Sequence, residues 1–271
     1  MHNTALIDGD WLVFATVTSP DILHEFYHAE LDEWSYKLNV DEAAKEVVAK
    51  SHDFTATAGC DNFVLCFGGH ANFRKDLDPT YKANRKATRK PLGYRAVLER
   101  LEAETSCAWA EGYEGDDVMA MLSHRGQGNV MVSVDKDMKT VPGQLFNPMR
   151  PEEGVVTITQ RDALYWLCYQ TLCGDATDGY GGCKGIGPKT AEKILHDFDC
   201  DTLDAAFNTY VYLAYIKAGM TRANADLTAK LVQIVYDCEA EVQFSMPPVP
   251  KQYEVEQQGC VDILNKFMGA K

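Results

Sequence analysis

Three short apolar runs, each stopping at an acid or a glycine pair, constrain this chain more than any other feature. Residues 4–7 (Thr-Ala-Leu-Ile) lead into Asp8-Gly9-Asp10, residues 62–67 (Asn-Phe-Val-Leu-Cys-Phe) into Gly68-Gly69, and residues 129–134 (Asn-Val-Met-Val-Ser-Val) into Asp135. Runs this short, bounded by turn residues, read as strands buried on both faces. Between them lie helix-like stretches. Residues 41–58 carry Ala and Val on one face, with Asp41 as N-cap. Residues 91–105 open with Pro91 and place Tyr94, Val97, Leu98 and Leu101 at helical spacing; residues 116–124 follow Gly115. Strands alternating with helices predict an α/β core, a mainly parallel central sheet with flanking helices, over residues 1–160. Its last part, 143–160, alternates Val155, Thr157 and Thr159 against Val156 and Ile158, predicting a hairpin. Residues 161–271 read as a mostly helical region.

In such sheets functional groups collect at the carboxyl ends of strands. Asp8 and Asp10 follow the first strand, and Asp135 and Asp137 the third. The i,i+2 spacing of Asp135 and Asp137 points both the same way if the strand geometry continues. Glu114, Asp116 and Asp117 open a helix, where the dipole favours acids; capping explains one or two of them but not three within four residues. Asp175 and Asp178 share a face if their segment is helical, and otherwise mark a turn. Acids gathered without cations repel one another and hold protons more tightly. Hard divalent cations such as Mg²⁺, which prefer oxygen ligands, relieve this.

Charge distribution separates two functional zones. The net charge is −14, which argues against a general nucleic-acid binder. Residues 74–100, however, hold nine Lys or Arg (Arg74, Lys75, Lys82, Arg85, Lys86, Arg89, Lys90, Arg95, Arg100) against three acids. One segment therefore meets an anionic partner, or else forms a solvated basic face. A second basic element spans 183–196. Gly185-Ile186-Gly187-Pro188 reads as a glycine hairpin opening a helix, with Lys184, Lys189 and Lys193 nearby. Glycines let the backbone approach a phosphate, and the helix N-terminus offers it N–H donors. This device holds backbone without reading bases. The GxxxxGK[ST] phosphate loop is absent.

Nine cysteines include no CxxC pair and no zinc spacing. The N-terminus lacks a basic, apolar leader, and no stretch approaches the ~18 apolar residues of a membrane span. A reducing cytoplasm with free thiols is the expectation, and no membrane partner.

At this point the residues match a known family. Ile7-Asp8-Gly9, Phe73-Arg74-Lys75, Pro79-Thr80-Tyr81-Lys82-Ala83-Asn84-Arg85, Glu111-Gly112-Tyr113-Glu114-Gly115-Asp116-Asp117 and Ser133-Val134-Asp135-Lys136-Asp137 stand in that family's order. Gly174-Asp175-Ala176-Thr177-Asp178 and Gly185-Ile186-Gly187-Pro188-Lys189-Thr190-Ala191 follow. The chain resembles the flap-endonuclease-like 5′-nucleases, and within them the 5′→3′ exonucleases of short-tailed bacteriophages. The resemblance covers roughly residues 4–200. It implies a PIN-like nuclease core, a helical arch over about 70–105, and a helix–three-turn–helix DNA-binding element over about 170–200.

By the same resemblance, Asp8, Glu114, Asp116 and Asp135 bind a first Mg²⁺ or Mn²⁺, and Asp117, Asp137, Asp175 and Asp178 serve a second. Lys82 and Arg85 hold the scissile phosphate as catalytic groups. Arg74, Tyr81, Lys82, Arg85, Lys86, Lys184, Gly185, Gly187, Lys189 and Thr190 contact DNA, Tyr81 either stacking on a terminal base or packing internally. The loop at Gly185–Lys189 is a K⁺ site. The implied activity is Mg²⁺-dependent hydrolysis near 5′ ends or flaps of duplex DNA, extending to RNA in RNA–DNA hybrids. A monomer working in the cytoplasm (the host's, if phage-encoded) beside replication proteins is expected. One departure stands out: the family carries an acid after the second strand, where this chain reads Cys66-Phe67-Gly68-Gly69-His70. Asp10 is the candidate replacement, with His70 a weaker one. The rival readings are a DNA-binding protein of the same fold with weakened or lost activity, and an RNA-cleaving PIN-type nuclease, which the 183–196 element disfavours.

Overall fold

β1 (Thr4–Asp8) is buried at every position, as an unbroken apolar run requires of a central strand. The computed structural model describes residues 3–87, 89–126, 128–236 and 239–245. β1 does not end in a turn. Asp8 instead caps α1 (Gly9–Val17), its carboxylate accepting from the Trp11 amide at 2.9 Å. The uniformly apolar Trp11–Val17 stretch hides this helix from periodicity, because α1 packs against both the sheet and α2.

A two-stranded hairpin, β2 (Leu23–His28) and β3 (Glu33–Leu38), stands apart from the main sheet and carries exposed Phe26, Tyr27, Trp34 and Tyr36. α2 (Val40–Thr57) is capped by Asn39 rather than Asp41, which falls inside the first turn. β4 (Asn62–Gly68) follows, then α3 (Phe73–Leu77), a 3₁₀ turn at Ala83–Ala87, and α4 (Tyr94–Glu104), which starts after Gly93 rather than at Pro91. β5 (Cys107–Ala110), which its four-residue length hides in the sequence, leads to α5 (Gly115–Arg125) and β6 (Val130–Val132). β7 (Gly143–Phe146) and β8 (Val155–Ile158) form the expected hairpin.

The main sheet runs β11 (Gln243–Ser245), then β5-β4-β1-β6-β7-β8. Its five inner strands are parallel, β1 pairing with β4 on one side and β6 on the other. Each face is covered by its own apolar cluster, one built on α1, α2 and α4 and the other on α5.

Beyond the sheet come α6 (Gln160–Cys173), the two-residue strands β9 (Gly174–Asp175) and β10 (Tyr180–Gly181), α7 (Pro188–Ile194), α8 (Leu203–Ala206), a π-helical turn at Phe207–Val211, α9 (Tyr212–Lys217) and α10 (Arg222–Val232). They enclose a third core around Leu167, Leu172, Phe207 and Tyr215. The chain then departs from the expected helical second half. β11 (Gln243–Ser245) returns to the main sheet and pairs antiparallel with β5.

Candidate metal and nucleic-acid site

The carboxyl ends of β1, β4, β5 and β6 open on a cleft of about 580 Å³. Asp8, Asp10, Glu114, Asp116 and Asp135 line it, together with Lys75, Lys82, Arg85 and Lys90 from the basic segment. Sheet order explains the meeting: β1 lies between β4 and β6, so acids distant in sequence arrive side by side.

The first group centres on Asp8, Asp116 and Asp135. Burial, with Asp10 and Asp135 close by, pushes the Asp8 carboxyl up to about 7. Ser133 donates to its Oδ2 at 3.2 Å. Burial also drives the Asp116 carboxyl well above its ordinary value, with Asp8, Asp135 and Glu114 adding repulsion. Asp116 Oδ1 is buried and has no hydrogen-bond partner. Burial pushes Glu114 up, but Lys82 and Arg74 outweigh it, and its carboxyl ends below the usual range.

Asp10 occupies the space above the end of β4. Its Oδ2 accepts from the Gly68 amide at 2.8 Å, and its Oδ1 from the Tyr94 hydroxyl at 2.5 Å. Gly69 has no room for a side chain, because a Cβ there would lie 2.5 Å from the Ala110 carbonyl oxygen. His70 is exposed and faces Glu111 at 3.6 Å.

The second group comprises Asp137, Asp175 and Asp178. The strand geometry assumed for Asp135 and Asp137 does not continue: Asp135 caps a 3₁₀ turn at Lys136–Thr140, accepting from the Asp137 amide at 2.8 Å. Asp135 therefore faces the cleft, whereas Asp137 joins Asp178 in an adjoining crevice that Asp135 also lines. Burial and Asp135 raise the Asp137 carboxyl to about 7. Asp175 ends β9 and Asp178 sits in the turn between β9 and β10, neither on a helix; Asp175 pairs with Tyr180 across the bridge. Burial pushes Asp175 up, but a 2.7 Å contact with Lys136 holds it below the usual range.

Among the described residues no three acid, histidine or cysteine side chains form a closed ion cage as they stand. Cations sit among them instead. Lys82 reaches Glu114 at 2.6 Å and Asp178 at 3.7 Å, while Arg85 reaches Asp178 at 2.5 Å.

Three expected contact residues are withdrawn from the cleft surface. Arg74 is 2% exposed and Asp117 fully buried. The guanidinium grips the Asp117 carboxylate at 2.7 and 2.8 Å and donates to the Leu231 and Gln233 carbonyls. Asp117 also accepts from the Glu114 and Val235 amides. Neither has capacity left for DNA or an ion. Tyr81 is also buried, its hydroxyl on Glu114 and its ring stacked on Tyr180. The Lys86 side chain lies outside the described residues.

In the 174–187 loop the glycines decide the path. Gly185 has φ +78°, and neither Gly185 nor Gly187 has a neighbour within 4 Å of its would-be Cβ. Lys184, Lys189 and Thr190 are exposed around that open backbone, beside α7. Sequence reasoning missed Ser133 and Gln170 as partners of the acids, and Tyr180 as their neighbour. Neutral polar side chains on buried elements carry no signal of their own, and Tyr94 was legible only as an apolar helix position.

A parallel α/β sheet with acids gathered at its carboxyl edge and a glycine-loop helix beside them defines a nuclease-like architecture. The chain belongs to the 5′-3′ exonuclease family: that family's N-terminal resolvase-like domain matches residues 6–161. It is 35% identical over 204 residues to the exodeoxyribonuclease of Enterobacteria phage T3 and to the exonuclease of Escherichia phage T7, covering 71% of this chain in each case. The match spans 66% of those proteins, just under two thirds of their length. Among solved structures it is similar in fold to the phage T5 D15 protein co-crystallized with metal ions, with a TM-score of 0.57 at 17% identity. That match covers 98% of this chain and 96% of the T5 protein. The seven cysteines among the described residues are free thiols. No helix among the described residues is long and apolar enough to cross a membrane.

Proposed function

We propose that this protein is a divalent-metal-dependent 5′→3′ exonuclease and flap endonuclease acting near 5′ ends of duplex DNA. The observation that carries the reading is Asp116: a buried carboxylate with an unpartnered oxygen, pressed by Asp8 and Asp135. Such crowding is costly until a cation shares the oxygens, and an all-oxygen donor set suits Mg²⁺ or Mn²⁺.

Asp8, Glu114, Asp116 and Asp135 hold the first ion, with Asp10 in place of the acid missing after β4. Asp137, Asp175 and Asp178 hold the second. When bound, two such ions stabilise the attacking and leaving oxygens of a phosphodiester and lower the pKa of water. Asp117 orients Glu114 through the Glu114 amide and, with Arg74, braces the acid-bearing helix. Lys82 and Arg85 leave their acids for the scissile phosphate and stabilise its non-bridging oxygens as charge develops. No side chain acts as a covalent nucleophile.

The open loop at Gly185–Lys189 holds the duplex backbone, with K⁺ on its carbonyls. Residues 1–160 serve as the nuclease core and those from 161 as the DNA-binding region. The protein acts as a monomer in the cytoplasm, that of the host if it is phage-encoded, alongside replication proteins, and RNA in RNA–DNA hybrids is a further substrate.

The test uses 5′-labelled duplex, nicked, flapped and hybrid substrates with Mg²⁺ or with EDTA. Mg²⁺-dependent 5′ products are expected, and none would overturn the reading. Asp135→Asn should abolish cleavage and retain DNA binding; undiminished cleavage would refute the site assignment.

A further inference from the structure

Two buried neutral side chains stand at the second acid group with unused hydrogen-bonding capacity. Gln170, near the end of α6, donates from Nε2 to Asp137 Oδ1 at 2.6 Å, yet its Oε1 has no partner. Tyr180, on β10, is 6% exposed, and its hydroxyl also lacks a partner. Its ring is stacked on Tyr81, 6.3 Å between centroids, and burial, with the Asp137, Asp175 and Asp178 carboxylates adding to it, disfavours its ionisation. The bridge between β9 and β10 sets Tyr180 directly across from Asp175.

An unpaired buried polar atom is destabilising. Two of them flanking one acid group in an otherwise well-paired region call for a ligand that bonds both. The acids cannot meet the need of Gln170 Oε1, since both are acceptors, and the Tyr180 hydroxyl, able to donate to a carboxylate, makes no such bond. What is required is a donor that belongs at a carboxylate cluster. Water held by a hard cation is such a donor, since Mg²⁺ keeps several of its waters and binds through few carboxylates.

We propose that Gln170 and Tyr180 seat the hydration shell of the second cation. Gln170 ties down Asp137 Oδ1, leaving Oδ2 for the ion, and turns Oε1 to the shell. Tyr180 gives the shell a hydroxyl that accepts one bond and donates one. They are positioning residues: they act through ordered water and through Asp137. This rests on the two-ion reading above.

The test is calorimetric titration of Mn²⁺ into the full chain, with and without 5′-phosphorylated duplex, for wild type, Tyr180→Phe and Gln170→Leu. Outer-shell partners of metal ligands are typically worth about 10–100-fold in affinity. Each variant is expected to weaken one of the two Mn²⁺ sites by about 10-fold, leave the other unchanged, and raise the Mg²⁺ concentration for half-maximal cleavage without altering KM for DNA. Melted in EDTA, Tyr180→Phe is expected to be no less stable than wild type, because it removes an unpaired group. Two Mn²⁺ sites of wild-type affinity in both variants would overturn the proposal and leave the two-ion reading intact. Wild type binding no Mn²⁺ would overturn both. Gln170→Glu distinguishes lost packing from lost hydrogen bonding: it keeps the volume, and melting near the wild-type temperature with that same site altered supports the assignment.

Discussion

Arg74 and Asp117 bind each other through two parallel hydrogen bonds of 2.7 and 2.8 Å with almost no contact with solvent. The pair also receives the chain after α10, through the Leu231 and Gln233 carbonyls and the Val235 amide. Breaking a buried pair by removing one partner costs about 3–5 kcal/mol, because the remaining charge is stranded. Arg74→Met or Asp117→Leu alone should lower stability by that amount in urea denaturation. The double variant should recover part of it, since two apolar residues strand no charge. Additive losses would mean the pair is not coupled.

A pH window follows from Asp8 and Asp137. Burial pushes each carboxyl up to about 7 in the folded chain, from an ordinary value of 3.8. A raised folded-state value contributes stability that is fully present below the unfolded value and lost as pH rises through the folded one. The metal-free protein should therefore lose stability from about pH 4 to about pH 7, a window separate from the acid-side loss as Glu114 and Asp175 protonate. Cations compete with those protons. The Mg²⁺-induced rise in Tm should be small at about pH 5.5 and grow towards about pH 8. Equal rises at both would count against Asp8 and Asp137 as ligands.

Asp10 makes a local prediction. The Gly68 amide and Tyr94 hydroxyl fix it where the missing acid would act. Asp10→Asn should weaken one Mn²⁺ site by about 10-fold or more, and Tyr94→Phe by less, as an orienting group does. Mn²⁺ titration reads both. Two unchanged sites in Asp10→Asn would limit Asp10 to capping the end of β4.

The exposed lysines beside the open glycine loop predict a salt effect. If Lys184 and Lys189 each neutralise one phosphate, each Ala variant should flatten log Kd against log salt by about one, equally for all duplex sequences. Slopes equal to wild type would place the duplex elsewhere.

Much of the sheet was legible because buried parallel strands leave unbroken apolar runs, and because Asp8 and Asp135 end two of them. Cys107–Ala110 and Gln243–Ser245 were not legible: a four- and a three-residue strand owe their existence to their neighbours, not to their own pattern. At the site, the acids were readable by position, but their pairing state was not. Arg74 sits in a basic segment and looks like a phosphate contact, and only the return of the chain after α10 shows it spent on Asp117. Likewise Asp175 and Asp178 suit a helix or a turn equally, and the glycines at 174 (φ +69°) and 179 (φ +77°) decide for the turn.

The return of residues 231–236 and 239–245 to α3, α5 and β5 also sets when the acid-bearing edge can mature. On the ribosome the acid-bearing strands emerge long before the segment that seats Arg74 against Asp117. A nascent chain halted before residue 231 would carry all the expected ligands yet lack the brace on the helix that presents Glu114 and Asp116. Presentation of these acids thus depends on a segment 118 residues further along the chain than Asp117.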